Sequence, residues 1–315
     1  MTHLLTYPLP QPVQPLLVTG ANGTLGRAFR RICHLRGIEV VALSRADLDI
    51  ADADQVQAVL RRHRPWAVVN AAGFVRVDEA EAAADRCYRE NTTGPSVLAA
   101  ACAAHGVQLL TFSSDLVFDG RQQQPYVESD RALPLSVYGQ SKLLAEQAVL
   151  QQFPEALVVR ASAFFGPWDQ YNFVHQVLTA AQEDRAFEAA DDAFVSPTYV
   201  PGLVHAALDL LIDEERGIWH VANQGCSSWA QVARTVAEAA NFNPDFVLGR
   251  PLAALGLPAP RPRQSALQSE RAALLPAFEH ALRQYLADIG HVAAADKGRL
   301  ATARPPKTAR PAEAA

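Results

Sequence analysis

Long apolar runs are missing from this chain of 315 residues, and so is a strong excess of charge of either sign. No stretch approaches the roughly 18 consecutive apolar residues that a membrane-spanning helix needs. The formal net charge is only −5, and the 28 lysine and arginine residues are scattered, so no basic surface for nucleic acid or for an anionic membrane is indicated. We therefore expect small-molecule partners, with no nucleic acid and no membrane.

Cysteine is scarce as well. The four cysteines, at positions 33, 87, 102 and 226, show neither Cys-x-x-Cys nor Cys/His ligand spacing. We expect four reduced core residues and no metal site, although the spacing leaves metal dependence open. Residues 1–15 lack the basic and apolar regions of a signal peptide and are rich in proline, so they are predicted to be an N-terminal extension. These features predict a cytoplasmic protein.

Three glycines interrupt an apolar run in the segment LLVTGANGTLG, residues 16–26. Glycines three apart let the backbone approach a pyrophosphate, and the free N–H groups at the start of the following helix face the anion. A strand before the turn and an amphipathic helix after it favour a dinucleotide site over an ordinary glycine-rich loop. The predicted cofactor contacts in this glycine turn are Gly20, Asn22, Gly23, Thr24, Leu25 and Gly26.

The end of the second predicted strand, IEVVAL, indicates which dinucleotide binds. Ser44 and Arg45 follow it, and an arginine here pairs with the 2′-phosphate of NADP, whereas an acidic residue accepts from the ribose hydroxyls of NAD. NADPH is therefore the predicted cofactor, and Asp47 keeps NADH open because it could still serve the ribose. Asp49 and Ile50 are expected beside the adenine, with N-capping of the next helix as the rival role of Asp49.

Two further strands place small and polar residues at one edge of the expected sheet. WAVVNAAGF turns at Ala71, Ala72 and Gly73, whose small size permits close passage of a cofactor. VQLLTFSS ends at Ser114, and Asp115 follows. Ligands of an open parallel sheet bind outside the carboxyl ends of its strands, so these residues are expected at the site.

Tyr138 and Lys142 open a predicted helix and lie four residues apart, so they share one helix face. A tyrosine, with an ordinary pKa of about 10, is a poor acid–base catalyst at neutral pH until a nearby cation stabilises the phenolate. Lys142 is placed to be that cation. Such a pair is often structural when it stands alone, but beside the glycine turn and Ser114 it predicts a catalytic acid.

Alternating strands and helices predict an α/β protein with a Rossmann-type, doubly wound parallel sheet over residues 16–162. The alternation fades afterwards, and residues 163–291 are expected to form a smaller C-terminal substrate-binding lobe. Whether segments of this lobe interleave with the parallel sheet is left open. Residues 292–315 are Ala, Pro and Lys/Arg without periodicity, which predicts a disordered tail.

In this order the segments GANGTLG, SRADLDI, NAAGFVRVDEAE, SSDLVFDG, YGQSK, VVRASAFFG, SPTY and RPRQSAL resemble the extended short-chain dehydrogenase/reductase family and, within it, the dTDP-4-dehydrorhamnose reductases. The resemblance spans residues 16–290. It implies an NAD(P)H-dependent reduction of the C4 ketone of a nucleotide-linked, dTDP-type 6-deoxy-4-hexulose, as in dTDP-L-rhamnose synthesis. It makes Ser114, Tyr138 and Lys142 the catalytic set, with Tyr138 and Lys142 also on the cofactor. The residues expected around the substrate are Val75, Asp115, Ala163, Phe164, Asn172, Ser196 and Arg261.

Three positions depart from the resemblance. Ser114 replaces the usual threonine and keeps the hydroxyl, Leu116 stands where a tyrosine is common, and Ala163 stands where a tryptophan near the sugar is usual. The loss of the tryptophan ring at Ala163 enlarges or reshapes the expected sugar pocket and leaves the identity of the hexose open. A nucleotide-sugar epimerase of the same superfamily and a non-catalytic NADP-binding regulatory subunit are the alternative functions, and a homodimer is an assembly that the sequence leaves undecided.

Overall fold

The computed structural model describes residues 14–291. The extension predicted for residues 1–15 lies outside this range except for its last two positions, and the tail predicted for 292–315 lies outside it altogether. The helices of the described part are α1 (Thr24–Leu35), α2 (Ala53–His63), α3 (Val77–Ala82), α4 (Ala84–Tyr88), α5 (Gly94–His105), α6 (Val137–Gln152), α7 (Phe173–Gln182), α8 (Val200–Ile212), α9 (Trp229–Ala239) and α10 (Phe278–Asp288). A π-helical turn, Arg89–Thr93, links α4 to α5.

The strands are β1 (Leu16–Thr19), β2 (Val40–Leu43), β3 (Ala67–Asn70), β4 (Gln108–Ser114), β5 (Leu157–Ala161), β6 (Phe164–Phe165), β7 (Phe187–Ala190), β8 (Phe194–Val195), β9 (Thr198–Tyr199), β10 (Gly217–His220), β11 (Ser227–Ser228) and β12 (Val247–Arg250). Six of them form one sheet in the order β2-β1-β3-β4-β5-β10, and every neighbouring pair is parallel. The predicted Rossmann-type parallel sheet is confirmed.

Both faces of the sheet are covered, which explains why its inner strands are apolar throughout. On one face, Phe29 of α1 and Leu203 of α8 pack against Leu16 and Val18 of β1. On the other face, α2, α5 and α6 pack against the alternate residues of the same strands. Successive strand residues point to opposite faces, so one apolar strand serves both layers.

The smaller lobe has its own core. Side chains of α7, α9 and α10 pack there around Phe165 and Tyr199. The chain segment assigned to this lobe does not stay in it, because β10 returns to the central sheet beside β5 and α8 covers that sheet. The two parts therefore interleave.

One expectation about the core is wrong. Cys33, Cys87 and Cys102 are buried, but Cys226 is exposed in the loop after β10. No helix within residues 14–291 is long and apolar enough to cross a membrane.

Candidate functional site

The site lies where the strand order reverses, between β1 and β3, which is where open α/β sheets bind ligands. A cavity of about 540 Å³ opens at the carboxyl ends of these strands and extends under the lobe. Its size is within the range of small-molecule sites. The predicted residues that line it are Leu25, Ala71, Ala72, Gly73, Val75, Ser114, Asp115, Tyr138, Lys142, Ala163, Phe164 and Arg261.

Helix α6 presents Tyr138 in its first turn, and two acceptors satisfy the amides of that turn. The Ser136 hydroxyl accepts a hydrogen bond from the Gly139 N–H at 3.1 Å, and a Glu81 carboxylate oxygen accepts from the Val137 N–H at 2.9 Å. A Cβ atom on Gly139 would lie 2.2 Å from the Leu116 carbonyl oxygen, so this glycine lets the helix pack directly on the turn after β4. The position of Tyr138 is thereby fixed by backbone contacts.

The Lys142 ammonium lies on the same helix face and donates to the Phe112 carbonyl at 3.2 Å. Burial lowers the pKa of Lys142 to about 8, against the opposing effects of Cys87 and Glu146. Burial raises the pKa of the Tyr138 phenol, as does the nearby Asp115 carboxylate, while hydrogen bonding to Ser114 opposes the rise. The phenol is therefore protonated at neutral pH and is available as a proton donor.

Asp115 is buried at the end of β4, where hydroxyl groups surround its carboxylate. One oxygen accepts from Ser114 at 3.0 Å, and the other accepts from Ser162 at 2.8 Å and from Ser265 at 2.7 Å. Burial raises the pKa of Asp115, and the three hydroxyl groups oppose the rise. Although Asp115 lines the cavity, its hydrogen bonds join strand ends and the loop carrying Ser265, and they orient Ser114.

Asn91, to which the sequence analysis assigns no role, lies behind the cavity wall and supports it. Its side-chain amide donates to the Phe74 carbonyl and to the Ser141 hydroxyl, both at 3.0 Å, and its oxygen accepts from the Phe74 N–H at 2.8 Å. It therefore ties the loop after β3 to the helix of Tyr138. Asn91 lies in the π-helical turn, a distortion common at functional sites, but no local pattern in the sequence signals that turn.

The structural need for glycine differs among the three glycine positions of this turn. Gly20 has φ +69°, and a Cβ atom there would lie 2.5 Å from the Ala71 carbonyl oxygen. A Cβ atom on Gly26 would lie 2.2 Å from the Gly20 carbonyl oxygen. Gly23 has an ordinary φ of −76°, and its nearest contact would be at 3.4 Å. The fold thus requires glycine at two positions, whereas at the third a small side chain would fit.

The residues predicted beside the adenosine lie outside the cavity, at the end of β2. Arg45 forms an ion pair with Glu90, which also accepts from Arg86 at 2.8 Å. Asp49 accepts from Arg89 at 2.7 Å, which lowers the pKa of its carboxyl. Three guanidinium groups and two carboxylates therefore meet at this strand end.

Other polar side chains that follow β2 form hydrogen bonds with their neighbours in the same loop. The Ser44 hydroxyl donates to Asp47 at 2.6 Å, and Asp52 caps α2 in place of Asp49. The rival N-capping role of Asp49 is therefore wrong. Ile50 is buried in the core against α2 and α5.

Two predicted substrate contacts do not line the cavity. Asn172 caps α7 by accepting from the His175 N–H at 2.9 Å. Ser196 is fully buried and donates to the Gly225 carbonyl at 2.8 Å. Both polar side chains serve the local fold, since a capping residue and a buried hydroxyl look the same in sequence as a ligand contact.

Arg261 does reach the cavity, where it donates to the Asp78 carboxylate at 3.0 Å. This ion pair joins the lobe to α3 across the opening. Ala163 also faces the cavity, at φ +42°, a backbone conformation that favours glycine. Within residues 14–291 no group of three or more His, Cys, Asp or Glu side chains is placed to hold a metal ion.

A doubly wound sheet with a glycine turn at its first strand, and with serine, tyrosine and lysine around one cavity, defines an extended short-chain dehydrogenase/reductase. Comparison with known families is more specific. The chain belongs to the RmlD substrate binding domain family, whose model matches residues 14–295.

Individual relatives agree with this assignment. A dTDP-4-dehydrorhamnose reductase of Mycolicibacterium smegmatis is 36% identical over 264 residues, which are 82% of this chain and 80% of that protein. A dTDP-4-keto-6-deoxy-D-glucose reductase of Streptomyces niveus is 35% identical over 254 residues, 80% of this chain and 87% of that protein. The solved structure of the Bacillus anthracis dTDP-4-dehydrorhamnose reductase in complex with NADP has a TM-score of 0.83 at 29% identity, covering 87% of this chain and 99% of that one.

Proposed function

We propose that this protein uses NADPH to reduce the C4 ketone of a dTDP-linked 6-deoxy-4-hexulose. The observation that carries the proposal is the convergence of Ser114, Tyr138 and Lys142 on a cavity beside the glycine turn. The names of the relatives support this reaction class. NADPH is the proposed cofactor because Arg45 follows β2 and because the B. anthracis relative is in complex with NADP.

The residues present fit a dinucleotide. Gly23 has no structural need to be glycine, so its lack of a side chain is explained by a group that approaches the backbone there. The first turn of α1 has no acidic residue and offers its N–H groups to a diphosphate. A Cβ atom on Gly73 would lie 2.7 Å from the Asn91 Oδ1 atom and 3.7 Å from the Lys142 Nζ atom, so glycine lets the loop after β3 pass close to both side chains at the edge of the proposed ribose site.

A dinucleotide held by the glycine turn and Lys142 would supply the hydride for the carbonyl carbon. Tyr138 donates its phenolic proton to the carbonyl oxygen, on which negative charge develops. Ser114 turns its hydroxyl from Asp115 toward that oxygen and donates a hydrogen bond. Lys142 holds the nicotinamide ribose, and its positive charge makes the loss of the Tyr138 proton easier.

The substrate-facing wall is mostly apolar. Val75, Ala163 and Phe164 surround the space proposed for the deoxyhexose, and Arg261 is the proposed donor to the diphosphate. Because the two relatives named above act on different 4-keto sugars, dTDP-4-dehydro-L-rhamnose and dTDP-4-keto-6-deoxy-D-glucose are both candidates. A cytoplasmic location and a homodimer remain predictions from the sequence.

The test mixes the purified protein with NADPH and each of the two ketoses and follows the loss of NADPH absorbance. We expect turnover with at least one ketose and none without it. Gly23→Ala should fold normally, because its Cβ would lie 3.4 Å from the Gly20 carbonyl oxygen, but it should lose NADPH binding and turnover. Gly202→Ala, whose Cβ would meet Leu275 at an ordinary 3.5 Å, should keep both. NADPH binding without turnover of any 4-keto sugar nucleotide would contradict the proposed reaction.

A further inference from the structure

The loop between β6 and α7 lies along the first two turns of α1. The Arg31 guanidinium carbon lies over the Trp168 ring, 6.0 Å from the ring centre. Asp169 accepts a hydrogen bond from the Thr24 hydroxyl at 3.2 Å. Thr24 is the first residue of α1 and follows Gly23. A carboxylate from the other part of the molecule is therefore held beside the glycine turn.

The position of this carboxylate is set by the loop itself. The second Asp169 oxygen accepts from the Tyr171 N–H at 2.8 Å, and the Asp169 carbonyl accepts from the Asn172 side chain at 2.5 Å. Asn172 in turn caps α7. The Asp169 carboxylate is thus held by the Tyr171 N–H on one oxygen and by the Thr24 hydroxyl on the other, while the helix cap holds the Asp169 backbone.

A carboxylate at this point has an electrostatic consequence for any anion at the glycine turn. The N-terminus of a helix favours negative charge, and Asp169 already supplies some of it to α1, whose own first turn has none. A diphosphate that approaches Gly23 meets the same helix end and also the charge of Asp169. The negative charge of Asp169 therefore opposes the binding of a second anion at that helix end.

We propose that Asp169 weakens dinucleotide binding at the glycine turn and so speeds the release of the oxidised cofactor. The inference rests on the proposed function, because a reductase must exchange its cofactor in every cycle whereas an epimerase regenerates it in place. Asp169 acts on binding alone and takes no part in the chemical step. Its removal changes the affinity for both oxidised and reduced cofactor.

The test measures Kd and the dissociation rate of NADPH and NADP+ by fluorescence and stopped flow. Asp169→Asn should lower both values about threefold to tenfold, the effect of one charge at a helix end, whereas Asp169→Glu should stay near the wild type. The matched control is Asp213→Asn, because Asp213 is exposed just beyond α8, near the end of α1 where Arg36 pairs with Asp209, far from Thr24. An Asp169→Asn variant that binds NADPH as weakly as the wild type, or more weakly, contradicts the inference.

Gly23→Ala separates this outcome from failure of the proposed function. If the wild-type protein binds NADPH and Gly23→Ala does not, the glycine turn is the cofactor site, and an Asp169→Asn variant with unchanged binding overturns only the role of Asp169. If Gly23→Ala binds NADPH like the wild type, the glycine turn is not the cofactor site and both proposals fail.

Discussion

The Lys142 ammonium lies 5.8 Å from the centre of the Tyr138 ring and is one helical turn away along α6. The lysine thus faces the tyrosine while its hydrogen bond goes to the Phe112 carbonyl. A cation held in this way lowers the free energy of a phenolate formed at Tyr138 without sharing the proton. In the proposed mechanism, this charge is what allows Tyr138, whose pKa is raised by burial, to give up its proton to the substrate.

The pH dependence of cofactor capture tests the charge on Lys142. Its ammonium loses its proton as the pH rises through about 8, since its pKa is lowered to about 8 by burial. The nearby Cys87 thiol and Tyr138 phenol have raised pKa values and titrate higher. We expect kcat/KM for NADPH to fall about tenfold per pH unit as the pH rises above about 8.

The control for this profile is Lys142→Arg, because an arginine keeps its charge over the whole range. Whatever activity the variant retains should lack the alkaline decline. A wild-type kcat/KM that stays constant up to about pH 10, the ordinary range of a lysine, would show that Lys142 has no such role.

Arg45, which is 59% exposed and paired with Glu90, is the proposed determinant of cofactor preference. Replacing Arg45 by alanine removes the guanidinium that follows β2 most closely in the sequence. We expect Arg45→Ala to weaken NADPH binding about tenfold and NADH binding by less than about twofold, because only NADPH has the 2′-phosphate. Arg61→Ala, at an exposed position near the end of α2, is the control, and equal losses for the two cofactors would disprove the role.

Sequence patterns predicted the parts of this molecule that depend on neighbours in the chain. The apolar runs gave the correct sheet strands, and the four-residue spacing of Tyr138 and Lys142 on a helix holds in the structure. Such features follow from backbone periodicity, which can be read from a short window. The glycine turn is of the same kind.

Contacts between distant segments could not be predicted. Asp115 meets Ser265 across 150 positions, so nothing local distinguishes its carboxylate from a free substrate ligand. The pairing of Arg45 with Glu90 and the bridging role of Asn91 depend on the π-helical turn. Asn172 and Ser196, which were predicted as substrate contacts, make local hydrogen bonds in the structure, and the sequence could not show this because capping and buried hydrogen bonding use the same residue types as ligand binding.

A buried ion pair anchors the helix of Lys142 to the sheet. Arg160 on β5 donates to both Glu146 oxygens, at 2.8 and 2.6 Å, one turn after Lys142. The side chains are 4% and 3% exposed. Removing one partner leaves a buried charge uncompensated, so Arg160→Met should lower the free energy of unfolding by about 3–5 kcal/mol.

Two further variants make that measurement specific. The double variant Arg160→Met/Glu146→Met should recover most of the loss in urea unfolding, because no unpaired charge remains. Arg216→Met, which breaks an exposed pair with Glu155, should cost less than about 1 kcal/mol. A small effect of Arg160→Met would mean that the pair does not stabilise the helix.

The most direct test of the account is the turnover of Tyr138→Phe on a dTDP-4-keto-6-deoxy sugar, measured beside its Kd for NADPH. Loss of the phenolic proton should lower kcat by about 10²–10⁴-fold, while NADPH binding stays within about twofold of the wild type. Tyr171→Phe, at a position that is 87% exposed, should be unaffected. A Tyr138→Phe variant that turns the ketone over at the wild-type rate would contradict the assignment of the catalytic acid.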